Sequence, residues 1–470
     1  MLIVGIFSGL SSGCRFQPSR QVVEYPVKTR NGTLYLTNAT KDFRCMAWWR
    51  RFQDPVLNHL ITQALACNND LKRAEYLILQ AQAQLLSARA LWLPTFDGSL
   101  NGFTGGTWDT HLKPEGPLAN TPLFPGGRNF RFRGYDAGFL PGYSINILNN
   151  LSQTDYANAN LEIQLARAQS TRLSIISQMS GAYWTLLSQR AQLHWEKALV
   201  QDLKKLRHLE NIRFQRGASD LDRVTRLNQD LASEVAKIPH LQAAAEKTEN
   251  AMQVLLNQNP AAIKTNADLM RVNPSRLIPT YLPAEVLKNR PDMMIAFSSI
   301  KSASAELGIA YSAFFPTINM TTLVGSSSFA LSHLLKVTAG LWIARISGAT
   351  KLFNLSAYAN IKSAKAFEQA SYYDYMQTLR AALADVDSSL TNAQQSKKAY
   401  EDTYQGYLAA KRSYQLVHSR FKAGAKDYRD VVNAKINIDR YQLTLIQEKA
   451  QWLDSLVQVY TSVGGGYLAD

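Results

Sequence analysis

Charged side chains grouped at two glycine-containing turns are the residues of this chain whose types and spacing could do chemistry. The segment 213–220 reads RFQRGASD, and the segment 420–427 reads RFKAGAKD. Side chains of these types can form ion pairs, and pairs exposed to water contribute roughly 0–1 kcal/mol each. An aspartate just after such a turn also favours the start of the next helix through the helix dipole. The chemistry to expect here is reversible charge pairing.

Motifs of enzymes are absent from the sequence or misplaced in it. Residues 9–13, Gly-Leu-Ser-Ser-Gly, match the spacing of a nucleophile elbow, but they lie in a predicted signal peptide. The seven histidines are scattered without a His-Glu-x-x-His pair, and no glycine-rich loop ends in Gly-Lys. We therefore expect no enzymatic activity, no metal site and no cofactor.

The net charge of +15 comes from Lys and Arg that alternate with Glu and Asp along helical segments. No basic block with interleaved aromatic residues occurs, so a solvated helix surface explains the charge better than nucleic-acid binding does. No run of about 18 uncharged apolar residues occurs either, which excludes a transmembrane helix. A membrane-spanning part would therefore have to be a barrel.

Cys14 follows a short apolar stretch and the small residues Ser-Ser-Gly. This arrangement is typical of a bacterial lipoprotein signal, in which residues 1–13 are removed and Cys14 is acylated. An ordinary signal peptide, or a start codon assigned too late, is the alternative. Cys45 and Cys67 are expected to be plain thiols, although they could pair in an exported protein.

The two turns belong to an internal repeat with an offset of 207 residues. Apolar and aromatic residues alternate spacings of three and four from Met376 to Phe421, and the register recurs in the first copy. This heptad pattern predicts coiled-coil helices, each roughly 90 Å long. Gly217 and Gly424 are the expected left-handed residues where the chain reverses. The predicted helices span about 154–215 and 356–422, with return helices at about 219–257 and 427–463.

Two further helices are predicted to end at Pro94 and Pro316, and residues of period two follow each proline. The predicted strand pairs are 95–105 with 135–147 and 316–326 with 340–350. Such strands suit either a membrane barrel or a half-buried sheet on a soluble core. Their position at the ends of very long helices, and a polar loop at 106–134, favour the membrane. Because four strands cannot close a barrel, several chains must share it.

The chain resembles the TolC/OprM family of outer-membrane efflux factors, in particular its lipoprotein branch. The resemblance rests on motifs that occur in order along the whole chain after Cys14. They are Trp48-Trp49, Asp54-Pro55 and Asn69-Asp70-Leu71, then Arg290-Pro291-Asp292 and Phe314-Phe315-Pro316, and finally Gly464-Gly465-Gly466.

The resemblance implies a mainly α-helical fold with a small transmembrane β part. Three chains would share a twelve-stranded β-barrel, continued by a coiled-coil helical barrel across the periplasm. The homotrimer would be a passive exit duct for multidrug, small-molecule or metal efflux, lipid-anchored in the outer membrane. A periplasmic adaptor and an inner-membrane pump of RND or ABC type would open it at the helical turns. The predicted segments are 14–56, 57–258, 259–283, 284–463 and 464–470, after the signal peptide.

By the same resemblance, the turns at Gly217 and Gly424 form a periplasmic gate. Lys426 falls where the family often carries a gate arginine, and Asp430 falls on an aspartate ring that attracts cations. Asn433 replaces a second ring aspartate, and Arg223 stands where an acidic partner is usual. The acidic residues that could substitute are Asp222, Asp220 and Asp427. Alternatively, Asp220, Asp427 and Asp430 only stabilise the start of a helix.

Two other functions remain open from the sequence. One is the outer component of a protein-secretion system, and the other is a non-transporting coiled-coil scaffold of the envelope. Conductance in a planar bilayer would separate a duct from a scaffold.

Overall fold

The structure is a computed structural model. It describes residues 28–29, 32–33, 43–106, 131–273, 287, 289–329, 331–334 and 340–469. The predicted lipid anchor Cys14 lies outside the described residues, as does most of the predicted loop at 106–134. Among the described helices, none combines the length and the hydrophobicity needed to cross a bilayer. Cys67 carries a free thiol, so it does not pair with Cys45.

Seven α-helices and four long strands account for most of the described chain. The helices are α1 (Pro55–Cys67), α2 (Asn69–Ala90), α3 (Ile147–Gln215), α4 (Leu221–Leu255), α5 (Pro291–Ser312), α6 (Leu355–Lys422) and α7 (Tyr428–Ser462). The strands are β1 (Thr95–Gly106), β2 (Arg131–Ile145), β3 (Thr317–Ser328) and β4 (Gly340–Ala349). The mainly helical fold with four strands and two long-helix repeats is thereby confirmed.

Local capping explains where the helices begin and end. The Asp54 carboxylate accepts hydrogen bonds from the backbone N–H groups of Val56 and Leu57, at 2.9 and 3.1 Å, and so fixes the start of α1. Helix α3 begins seven residues earlier than the predicted position 154. The reason is Asn146, whose side-chain oxygen accepts from the backbone N–H of Asn149 at 3.0 Å.

The four long strands form one antiparallel sheet in the order β1-β2-β3-β4. Its register aligns Gly98, Phe139, Val324 and Trp342 in one row across the sheet. The three apolar side chains of this row are exposed: Phe139 at 72%, Val324 at 50% and Trp342 at 75%. One face of the sheet is therefore apolar and uncovered within a single chain, as the period-two patterns predict.

Residues 81–161 and 300–371, which include the sheet, belong to one compact unit of the structure. In this unit Leu85 and Ala88 of α2 pack against Ala157 and Leu161 of α3. This small apolar cluster holds the two helices together.

Residues 43–80, 162–299 and 372–469 belong to the second compact unit. Its largest core surrounds Trp48, which is fully buried and stacks on the ring of Tyr460 with 5.2 Å between ring centroids. The Trp48 indole N–H donates to the carbonyl oxygen of Gly465 at 3.1 Å. The early double tryptophan and the glycine-rich end of the chain, two motifs of the family resemblance, therefore pack on each other.

A second apolar cluster of the same unit lies toward the two return turns. Leu203 and Leu206 of α3, Leu231 of α4, and Val432 and Ile436 of α7 belong to it. The first and second helical hairpins are thus in direct contact near the turns, which places the charged residues of both turns close together.

Candidate functional site at the two return turns

Gly217 and Gly424 both adopt the left-handed conformation, with φ of 70° and 75°. Each closes its helix with a backbone bond across the turn: Ala218 donates to the carbonyl of Arg213, and Ala425 donates to that of Arg420, both at 2.8 Å. A Cβ atom on either glycine would meet no atom within 4 Å. Backbone conformation, and not lack of space, therefore explains the glycines.

The structure brings the predicted gate residues Lys426 and Asp430 together. The Lys426 ammonium lies 3.5 Å from the Asp430 carboxylate, one helical turn apart at the start of α7. Both side chains are partly exposed, so the pair is weak and is screened by solvent. Within one chain, this pair links two parts of the same hairpin.

Asp427 does link the two hairpins. One of its oxygens accepts from the backbone N–H of Arg429 at 3.2 Å, which caps α7. The other accepts from the guanidinium of Arg213, before the first turn, at 3.0 Å. The helix-start role and the gate role proposed for this residue are therefore compatible.

Asp222 and Asp220 contribute less to contacts between hairpins. Asp222 pairs with Arg226 of the same helix at 3.0 Å, and both side chains are largely exposed. Asp220 occupies the N-cap position of α4 without a capping hydrogen bond from its side chain. Within this chain, neither residue is brought to the Lys426–Asp430 pair.

The main polar contact between the hairpins involves Glu210, which the sequence did not single out. Its side chain is fully buried at the end of α3. One carboxylate oxygen accepts from Arg429 of α7 at 2.9 Å and lies 3.2 Å from the Arg223 guanidinium of α4. The other accepts from the Ser219 hydroxyl at 2.9 Å and lies 3.9 Å from Arg213.

Glu210 is held in its charged form by these partners. Burial alone would raise the pKa of its carboxyl group. Hydrogen bonds from Arg429 and Ser219, and the nearby charge of Arg223, outweigh burial and lower the pKa below its ordinary value. Arg223, which departs from the family pattern, thus has an acidic partner supplied from α3.

Two more buried carboxylates of α3 lie further from the turns. Asp202 contacts Lys435 of α7, which also pairs with the fully buried Asp439 and lies 5.5 Å from the centre of the Trp195 ring. Glu196 shares a hydrogen bond with Glu234 of α4. Burial first, and then this second carboxyl group, raise the pKa of Glu196 to about 7. Contacts of α3 in this stretch therefore include charged groups as well as apolar ones.

No cluster of His, Cys, Asp and Glu suited to a metal ion occurs among the residues that the structure describes. The arrangement at the turns is a set of reversible ion pairs between two hairpins. Two of these pairs, Glu210 with Arg429 and Arg213 with Asp427, connect the hairpins, which also meet through the apolar cluster of α3, α4 and α7 near the turns.

Long helical hairpins, an uncovered apolar sheet and a charged contact between return turns are the features expected of one protomer of an envelope channel. Residues 60–258 and 282–465 match the family described as "Outer membrane efflux protein", so the chain belongs to this family. This confirms the predicted resemblance and the location in the outer membrane.

The chain is similar over nearly its whole length to named efflux proteins. It is 27% identical over 465 residues to "Cation efflux system protein CusC" of Escherichia coli K12, covering 97% of each chain. It is 24% identical over 481 residues to "Toluene efflux pump outer membrane protein TtgC" of Pseudomonas putida, covering 99% of this chain and 96% of the relative. Its fold matches the CmeC outer membrane channel of Campylobacter jejuni with a TM-score of 0.80 at 22% identity, covering 96% and 95% of the two chains.

Proposed function

We propose that this chain is one of three protomers of a passive exit duct in a tripartite efflux system. A periplasmic adaptor and an inner-membrane pump open the duct at its return turns and supply the energy. The observation that carries the proposal is the charged contact between the turns, centred on Glu210, at the ends of helices of 69 and 68 residues. Three four-stranded sheets, closed edge to edge, supply the outer-membrane part.

The exposed apolar row from Phe139 to Trp342 supports this assembly. A row of large apolar side chains on one sheet face is costly in water and favourable against hydrocarbon. The open edges β1 and β4 also need partners in lipid, where unpaired backbone groups are not tolerated. A shared sheet satisfies both requirements.

The gate is proposed to consist of the charged surface of the turns, which comprises Lys426, Asp430, Asp222, Asp427 and Asp220. Two contacts connect the hairpins across this surface: Glu210 with Arg429, and Arg213 with Asp427. Separating the hairpins must break both. Opening therefore requires a partner that binds the separated hairpins more tightly than the closed ones.

Conductance of the purified protein in a planar bilayer tests the duct and its gate together. The unmodified protein should show small, rarely open channels, and Arg429→Ala with Asp427→Ala should increase the conductance several-fold. Arg226→Ala is the matched control, since it removes an ion pair of similar kind within α4 alone. Absence of conductance from all three proteins, including the double variant, would support the scaffold alternative.

The exported cargo is proposed to be a small molecule or a metal cation. Of the two relatives named above, one is described as part of a cation efflux system and the other as part of a toluene efflux pump. One cargo is a metal cation or another cation, and the other is a small organic molecule. Deletion should sensitise cells to organic solvents and antibiotics or to metal cations, without changing the set of secreted proteins. Loss of secreted proteins instead would favour the secretion alternative.

Anchoring through an acylated Cys14 remains part of the proposal. Cys14→Ser should abolish incorporation of labelled palmitate and leave the trimer intact.

The segment bounds at 56, 258, 283 and 463 are likewise proposed as the limits of the two repeats.

A further inference from the structure

Two loops connect helices to the sheet at the end where β1 begins and β4 ends. Both loops carry exposed apolar side chains that the proposed duct does not yet explain. Leu352 and Phe353, between β4 and α6, are 92% and 90% exposed. Leu93, between α2 and β1, is 64% exposed. Strands β4 and β1 are the two outer strands of the sheet. The apolar loops therefore lie at opposite edges of one chain.

Both loops are held in place, so the exposed side chains are presented on a fixed backbone. Thr350 donates from its hydroxyl to the Phe314 carbonyl at 3.0 Å, and the Asn354 side chain caps α6 by accepting from Ala357 at 3.0 Å. Leu352 and Phe353 lie between these two anchors.

The loop at Leu93 is anchored in the same way. The Leu91 carbonyl accepts from the Asn150 amide at 3.1 Å, and the Trp92 carbonyl accepts from the Tyr143 hydroxyl at 3.3 Å. The fixed positions of both loops reduce the entropy lost when a partner covers them.

The register of the sheet indicates which partner fits. Thr95 of β1 is level with Gly142, Thr321 and Arg345, whereas β4 continues four residues further, to Ala349. At this end of the sheet, β2 extends three residues beyond the level of Thr95, and β3 and β4 each extend four residues beyond it. Pairing along the whole length of β4, which leaves none of its backbone groups unpaired, places Thr95 of a neighbouring copy level with Ala349 of the first chain. Leu93 of that copy then lies beside Leu352 and Phe353.

We propose that Leu352 and Phe353 of one copy pack on Leu93 of the next copy, forming an apolar lock at each of the three junctions of the shared sheet. The proposal rests on the trimeric duct proposed above and identifies the side chains that join its protomers below the strands. Continuity with the open edges β4 and β1 favours a second copy over lipid, because edge pairing brings the two loops together.

Disulfide trapping in outer membranes tests the contact. The full chain, with Cys45→Ser and Cys67→Ser, receives Leu93→Cys and Leu352→Cys. Oxidation should convert most of it to covalently linked dimers and trimers that survive heating in detergent without reductant. The matched control combines Leu93→Cys with Leu331→Cys, which is exposed but lies between β3 and β4, at the opposite end of the strands. This control should stay monomeric after heating.

A second measurement does not depend on cysteine chemistry. Leu352→Ser with Phe353→Ser should shorten the lifetime of the detergent-resistant trimer at least about tenfold, because apolar area is no longer buried at each junction. Leu331→Ser should leave it unchanged. Trimers that form normally, yet neither cross-link at 93 and 352 nor weaken on substitution, overturn the lock and leave the duct intact. Quenching of a label at Leu352→Cys by brominated lipid would assign the loop to the membrane and equally overturn it. Absence of any trimer in the unmodified protein would refute the proposed function itself.

Discussion

Replacing Glu210 by glutamine tests whether the two return turns are held together by a buried charge. Glutamine keeps the shape and one acceptor oxygen but removes the charge that Arg429 and Arg223 neutralise. A hydrogen bond to a charged group contributes about 1.5–3 kcal/mol, against about 0.5–1.5 kcal/mol for a neutral one. The Arg429 side chain is largely buried, whereas that of Arg223 is 55% exposed and its share is screened. We expect a net loss of about 2 kcal/mol in the closing of the turns.

Hydrogen exchange measured by mass spectrometry can detect a change of this size. A loss of about 2 kcal/mol raises the population of the open form about thirtyfold, and amide exchange in the first turns of α7 should accelerate by a similar factor. Asp222→Asn is the control, because the exposed Asp222–Arg226 pair lies within α4 and contributes less than about 1 kcal/mol. Equal exchange in both variants would refute the central role of Glu210.

The pH dependence of the same contact has a defined sign. The folded-state pKa of Glu210 is lowered from an ordinary value of 4.5, so its contribution is complete above pH 4.5 and is lost as the pH falls through the folded pKa. Bilayer conductance of the unmodified protein should therefore rise on acidification below pH 4.5, and that of Glu210→Gln should change less. A conductance increase of equal size in both would assign the acid response to other groups.

Further predictions concern the supporting structure. Glu196→Gln should raise the thermal midpoint at pH 8 more than at pH 4, because the penalty for ionising Glu196 develops as the pH rises from 4.5 to about 7; equal shifts would contradict this. Gly424→Ala should lower stability by about 1 kcal/mol, since an alanine at φ of 75° is strained, and Ala425→Gly is its control. Trp48→Ala should cost about 3–5 kcal/mol in denaturant unfolding, and no loss would refute the anchoring role of its stack on Tyr460.

The turns and strands could be predicted from sequence because local rules determine them. A left-handed backbone requires glycine at Gly217 and Gly424. Helices α2 and α5 end at Ala90 and Ser312, four residues before Pro94 and Pro316, which lack the N–H group that would continue the helix. The start of α3 was wrong by seven residues, since the Asn146 cap precedes the region where the heptad pattern is clear. A helix cap depends on a single side chain, whereas a heptad pattern is recognised from many residues. The pattern therefore does not locate the first residue of the helix.

Glu210 could not be predicted by the same reasoning. It lies three residues before the repeated motif and off the heptad seam, and the equivalent position of the second copy is Val417. Its function depends on Arg429, which is distant in sequence and close only after the hairpins pack. One signal was available: Arg223 replaces an expected acidic residue, and an unpaired arginine at a turn suggests a carboxylate elsewhere in the chain.

The repeat itself explains why the charges differ between the copies. If the second turn had the residues of the first, an aspartate would replace Arg429 and face Glu210, and the two like charges would destabilise the contact. In this chain the equivalent positions have opposite signs: Asp222 corresponds to Arg429, and Arg223 corresponds to Asp430. Glu210 has no acidic counterpart, so a carboxylate of the first copy binds an arginine of the second. The two turns thus carry complementary charges where they pack against each other, and the proposed closing of the hairpins depends on this property.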